Sequence, residues 1–372
     1  VVFATALCGT TLANAGVMAD HCSRFPLKSS IECELMSASL PYLQRLVLKD
    51  LYVKAERFLE ILKNNPQITQ LSVCVKIDEM DFAEDMYNAE FIEKFSRLEN
   101  KFTDLDISGW KTAAPCDVLV KMAASFKSLR QFSYQFRTQQ ALLDAGYVRD
   151  GNEHSAQMLV SACPNLSSLT IGGAIGVPGL TGDLSCTDSQ SGWIVLPENF
   201  GELATLGKLS KLQSLSLRGM SLKSAADLDS LASLCPQLEC LHLSAINNEH
   251  CPNILELDAV IGKLPNLKAL TIDHPNVELH SFLESCGKLT QLEHFSFRTE
   301  ETISDLTLIH FFESSSSPLN FVHIVCVGTA IGLEELIQRL SAIRPNSRLF
   351  VKRSFTNYYG DSAHKGFRTV RY

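Results

Sequence analysis

The chain has 372 residues, 45% of them apolar and 20% charged, and a formal net charge of −8. Those proportions belong to a folded soluble protein and exclude a disordered one, and no apolar run reaches the ~18–20 residues of a membrane span. The charge is uneven, +6 from Arg344 onward and −14 before it, and an acidic body argues against wrapping nucleic acid, which needs a basic surface.

Residues Val1 to Gly16 are apolar and uncharged, and Ala13-Asn14-Ala15 has the small residues of a signal-peptide cleavage site. The basic n-region of such a peptide is missing. Residues 1–40 are therefore expected to be an N-terminal cap or a truncated earlier repeat, with Val1-Val2-Phe3-Ala4 as its strand. Secretion is the alternative.

From residue 41 one phrase recurs. Leu-x-x-Leu-x-Leu stands at Leu43/Leu46/Leu48, and again at Leu238/Leu241/Leu243 and Leu267/Leu270/Ile272. Eleven copies have their middle residue at Leu46, Leu71, Leu105, Phe132, Leu169, Leu215, Leu241, Leu270, Phe295, Val322 and, in a degenerate last copy, Leu349. Steps between them are mostly 25–29 residues, and the three long ones, of 34, 37 and 46, all fall in the first half. Spacing of this kind resembles that of leucine-rich repeats. The resemblance implies an α/β solenoid, a horseshoe with a parallel inner sheet, helices outside and about eleven irregular repeats over 41–352.

Between copies the apolar period changes from 2 to 3.6. Ala55, Phe58, Leu59 and Leu62 make one helical face; Leu279, Phe282, Leu283 and Cys286 make another. Val118, Leu119, Met122, Ala123 and Phe126 form a third, and Leu333, Leu336, Ile337 and Leu340 a fourth. Each is a single stripe that covers a sheet and cannot stand alone.

Two insertions stretch the first half. Residues 138–153 carry the turn signal Asp150-Gly151-Asn152. Residues 172–201 hold Gly173, Gly176, Gly179 and Gly182 without the Gly-Lys-Ser/Thr ending of a phosphate loop, so a surface loop is expected, with Trp193 as a contact residue. The basic, aromatic tail 353–372 is expected either to cap the last repeat or to bind a partner.

No nucleophile elbow, HExxH, GxGxxG after a strand or calcium loop is present, so no enzyme, metal or cofactor is expected. The twelve cysteines form no CxxC pair, and none lies in the last 46 residues, where a secreted repeat protein would carry a disulfide-bonded cap. Reduced thiols and a cytoplasmic or nuclear location are expected.

A surface is what the sequence offers instead. Period-2 alternation turns the repeated leucines inward and their neighbours to the concave face. Most of those neighbours, such as Gln131, are small or polar. His242, Asp273, His294, Arg298, Phe321 and His323 break the pattern. They are expected to form a mixed charged and aromatic patch for a protein partner, not a zinc site, because the histidines lie on different strands.

Ala162-Cys163-Pro164-Asn165-Leu166 and Leu234-Cys235-Pro236-Gln237-Leu238 sharpen the resemblance. Cys-Pro-Asn/Gln-Leu before x-x-Leu-x-Leu is similar to the repeats of F-box/leucine-rich-repeat proteins. That resemblance implies the substrate-recognition region of a cullin–RING ubiquitin ligase subunit, contacting the ligase adaptor through a region upstream of Val1. An adaptor or inhibitor scaffold similar to ribonuclease inhibitor is the alternative. The family's asparagine ladder after the strand is absent; those positions hold Leu51, Lys76, Trp110 and others.

Overall fold

In a computed structural model, the described residues are 17–19, 40–49, 55–74, 89–109, 116–136, 155–173, 203–218, 221–222, 225–244, 247–248, 257–273, 277, 279–327, 332–354 and 367–371. The chain divides into two compact units, Val1–Lys211 and Leu212–Tyr372.

In the first unit the strands are β1 (Val17–Ala19), β2 (Arg45–Lys49), β3 (Gln70–Cys74), β4 (Asp104–Gly109), β5 (Gln131–Phe136) and β6 (Ser168–Gly173). They pair in parallel in chain order. Between them run α1 (Ala55–Asn64), α2 (Ala89–Ser96), α3 (Cys116–Ala124) and α4 (Ser155–Ala162), and a 3-10 helix follows at Leu203–Lys208. Every middle leucine stays in register: Leu46 pairs with Leu71, Leu71 with Leu105, Leu105 with Phe132, and Phe132 with Leu169.

The second unit repeats the scheme with β7 (Ser214–Arg218), α5 (Ala225–Leu234), β9 (Cys240–Ser244), α6 (Asp258–Gly262) and β11 (Ala269–Asp273). It continues through α7 (Leu279–Gly287), β12 (His294–Thr302), α8 (Asp305–Ser314), β13 (Phe321–Val327), α9 (Leu333–Ile343) and β14 (Arg348–Ser354). A separate two-stranded ladder joins β8 (Ser221–Leu222) to β10 (Asn247–Asn248). All eleven copies of the phrase are strands. The last described strand, β15 (Phe367–Arg371), runs antiparallel to β14 and covers its outer edge. It breaks the all-parallel pattern expected of repeats, because it belongs to no copy of the phrase. The insertions, apart from 172–173 in β6, lie outside the described residues, as do the Val1–Ala4 strand and Trp193.

The alternation places the core. Leu71, Leu105, Phe132, Leu169, Leu241, Leu270, Phe295 and Val322 are at most 4% exposed. The helical stripes meet them: Phe58, Leu59 and Leu62 on α1, Phe282, Leu283 and Cys286 on α7, and Leu336, Ile337 and Leu340 on α9 are buried. Aromatic rings bridge the layers. Phe95 on α2 stacks on Phe102 at 5.8 Å and meets Phe126 edge-on at 5.7 Å, while Phe282 on α7 sits 5.2 Å from Phe297. Each fully buried ring stabilises its repeat by roughly 2–3 kcal/mol.

What joins one repeat to the next is a backbone ladder at the strand entrance. The Gln44 carbonyl accepts both Thr69 N–H and Gln70 N–H, and Thr69, Thr103 and Arg130 carbonyls do the same for the repeats that follow. In the second unit the carbonyls of Gln213, Glu239, Lys268 and Glu293 each take two such bonds. This ladder links neighbouring backbones before the strand, whereas the positions an asparagine ladder would use lie after it. Before the strand the helix end closes in a tight turn, as in Leu166 N–H to Cys163 O and Leu238 N–H to Cys235 O. Asn65 and Asn100 reinforce the same place in the first unit. The Asn65 Oδ1 accepts Leu40 N–H at 2.7 Å and its Nδ2 donates to Ile61 O, while Asn100 Nδ2 donates to Asn65 O. Cys163 and Cys235 bury their thiols at the equivalent helix ends, and burial pushes each up to about 11. Cys286 and Cys326 are buried as well, and Cys240 is half-buried.

Candidate interaction face of the second unit

The residues between the buried ones point to the open face of the sheet, away from the helices. Parallel register arranges them in rows, one residue per strand. The first row reads Cys240, Ala269, His294, Phe321, Arg348; the second reads His242, Thr271, Ser296, His323, Phe350. The third reads Ser244, Asp273, Arg298, Val325, Lys352.

Five of the six residues singled out from the sequence gather on three adjacent strands, β11, β12 and β13. His294 and Phe321 are partners across β12 and β13, with ring centroids 6.0 Å apart. Ser296 Oγ lies 3.3 Å from His323 Nδ1. Arg298 Nε approaches Asp273 Oδ1 at 3.7 Å, each side chain 33% exposed, so this pair is partly solvated and worth at most about 1 kcal/mol. His242 shares the row of His323 but stands three strands away, roughly 14 Å at sheet spacing; it flanks the cluster and does not join it.

Sequence reasoning missed the far side. Phe350 on β14 stacks obliquely on Phe321 at 5.4 Å, extending the ring contacts to a third residue, and Arg348 and Lys352 lie on the same face of β14. The signal was present: alternation around Leu349 and Val351 turns Arg348, Phe350 and Lys352 outward. The degenerate last copy hid it.

His323 sits at the centre. Burial, then the positive charges of Lys352 and Arg298, hold its pKa below the ordinary histidine value, against the opposing pull of Asp273. Its ring is therefore neutral at neutral pH. The open face of the first unit is different: Asp106 Oδ2 accepts from Ser72 Oγ at 2.9 Å, and its Oδ1 accepts from Ser108 Oγ. There the polar groups satisfy one another. Among the described residues no group of three or more His, Cys, Asp or Glu is placed to hold a metal ion, and no helix is long and apolar enough to cross a membrane.

No protein-family model and no curated protein matches the chain. Solved structures do. Yeast Rad7, determined in complex with Elc1, is 13% identical, with 82% of this chain and 74% of that one covered at a TM-score of 0.51. The fold is that of leucine-rich-repeat proteins. The internalin InlF of Listeria monocytogenes is 13% identical over 88% of this chain and 85% of that one, with a TM-score of 0.37. TLR13, determined with ssRNA13, is 15% identical over 86% of this chain at a TM-score of 0.41, and this chain spans only 37% of its length.

Proposed function

We propose that the chain is a non-catalytic protein-binding module whose partner docks on the open face of the second unit. The observation that carries this reading is the unbroken run His294–Phe321–Phe350, lying beside the Arg298–Asp273 pair. Aromatic and arginine side chains concentrate binding energy at protein interfaces. His242 extends the contact toward β9, and Trp193 supplies a further contact from its inserted loop.

The resemblance at Cys163 and Cys235 carries the finer assignment, the substrate-recognition region of an F-box-type ubiquitin ligase subunit acting in the cytoplasm or nucleus. In both repeats the cysteine buries at the helix end and the following leucine enters the core, as that repeat type requires. Co-purification with the ligase adaptor, comparing this chain with a version extended upstream of Val1, tests it. Failure of the extended version to bind favours a scaffold without a link to ubiquitin.

The patch itself is tested by affinity capture on wild type and variants. Proteins retained by wild type and by Gln131→Ala should be lost from Arg298→Ala and Phe321→Ala, each of which weakens binding by about 1–3 kcal/mol. Thermal melts should show both variants folded. If deleting residues 173–193 abolishes capture while both point variants bind normally, the partner is held by the loop and not by the patch.

A further inference from the structure

The open face of β12, β13 and β14 is chemically divided along the strand direction. At one end lie the rings of His294, Phe321 and Phe350. Two residues further along β14, and on the same face, stands Lys352, in one row with Arg298. Arg348 adds a cation at the entrance of β14, so Asp273 is the single carboxylate against three cations in these rows. His323 lies between the two ends; burial lowers its proton affinity most, Lys352 and Arg298 lower it further, and Asp273 raises it.

We propose that this face receives an extended acidic segment of a partner protein, in which an aromatic or large apolar side chain and a carboxylate stand two residues apart. The proposal rests on the protein-binding reading above and names the chemistry of the partner. Its spacing follows from strand geometry. Phe350 and Lys352 are alternate residues, ~7 Å apart along β14. Side chains i and i+2 of an extended peptide have the same separation and the same facing. One edge of such a peptide therefore sets its ring against Phe321 and Phe350 while its carboxylate meets Lys352 and Arg298. Ring contacts favour offset or tilted packing, the geometry already present between Phe321 and Phe350. Arginine offers a carboxylate two parallel donors. A single strand of nucleic acid also has bases to offer the ring end, but Asp273 opposes a run of phosphates and the chain before Arg344 is acidic overall.

The test is selection of random dodecapeptides displayed on phage against the immobilised full chain, followed by affinity measurement on synthetic copies of the enriched peptides. Enriched sequences should carry Phe, Tyr, Trp or Leu two positions from Asp or Glu. Phe350→Ala and Lys352→Glu should each weaken the synthetic peptide about tenfold or more, and replacing its acid by the amide should do the same to wild type. Circular dichroism melts of the variants exclude unfolding, and the conservative Lys352→Arg should retain binding. Enriched peptides that are not acidic, yet are lost from Arg298→Ala and Phe321→Ala, overturn the acidic class and leave the binding face standing. Peptides that ignore every one of these substitutions overturn both readings. Absence of any enrichment over an unrelated protein, or a single-stranded oligonucleotide that binds through Phe350 and Lys352 more tightly than the peptides do, overturns the proposal.

Discussion

His323 shows how a single side chain reports the field around it. It is half-buried and flanked by Lys352 and Arg298; burial first, then these two positive charges, favour the neutral ring over the cation, while Asp273 opposes them. Its folded pKa lies below the unfolded value of roughly 6.5, so the unfolded chain binds the proton more readily. The stability linked to this group is complete above the unfolded value and is lost as the pH falls from there through the folded value. NMR titration should find the His323 midpoint below that of an exposed histidine. Lys352→Ala and Arg298→Ala should each raise it, and Asp273→Asn should lower it further. A midpoint at the ordinary value, indifferent to all three substitutions, would mean that these charges do not converge on the ring. The sequence placed His323 on the right face, because alternation is a local rule. It did not reveal the Lys352 neighbour, which depends on the register of a strand whose own pattern is weak.

At the scale of the element, the strand entrance decides how repeats are joined. The leucine phrase made the strands and most helical stripes legible, since burial follows period 2 on the sheet and 3.6 on the helix. The junctions were less legible. They are held by carbonyls such as Gln44, Thr69 and Glu239, and every residue has a carbonyl, so no letter marks them. Val47 shows another limit, being 5% exposed although alternation turns it to the open face; β1, which belongs to no copy of the phrase, pairs beside it. Where a side chain takes part in a junction, its removal should be costly. Asn65 is fully buried, accepts Leu40 N–H and donates to Ile61 O. Asn65→Ala leaves both backbone groups without that partner and should destabilise the first unit by about 2–3 kcal/mol, read as a lower urea midpoint. A loss below about 0.5 kcal/mol would show that water or a neighbour replaces the amide.

On the scale of the whole molecule, a stack of repeats raises the question of how it ends. Edge strands present unpaired N–H and C=O groups to any other strand. Here β15 pairs with β14 from Phe350 to Ser354. Truncation after Lys352 should therefore uncover that edge, and the shortened chain should self-associate more than the full chain in light scattering. If it scatters no more than the full chain, β15 has no protective role. The tail was readable as a cap or a binding segment from its composition alone; its antiparallel direction was not, because direction is set by the path of the chain through residues outside any repeat. That reversal has a consequence for growth of the structure. A parallel array is open-ended in principle, since each strand offers its neighbour the same slanted bonding pattern and one more copy can always be added. The β14–β15 pair has instead the perpendicular bonds of an antiparallel ladder, made by a strand that belongs to no leucine phrase. Over Phe350 to Ser354 the outer edge of β14 is thus already taken, and a strand arriving from a second molecule would meet β15 there and not the face of another repeat.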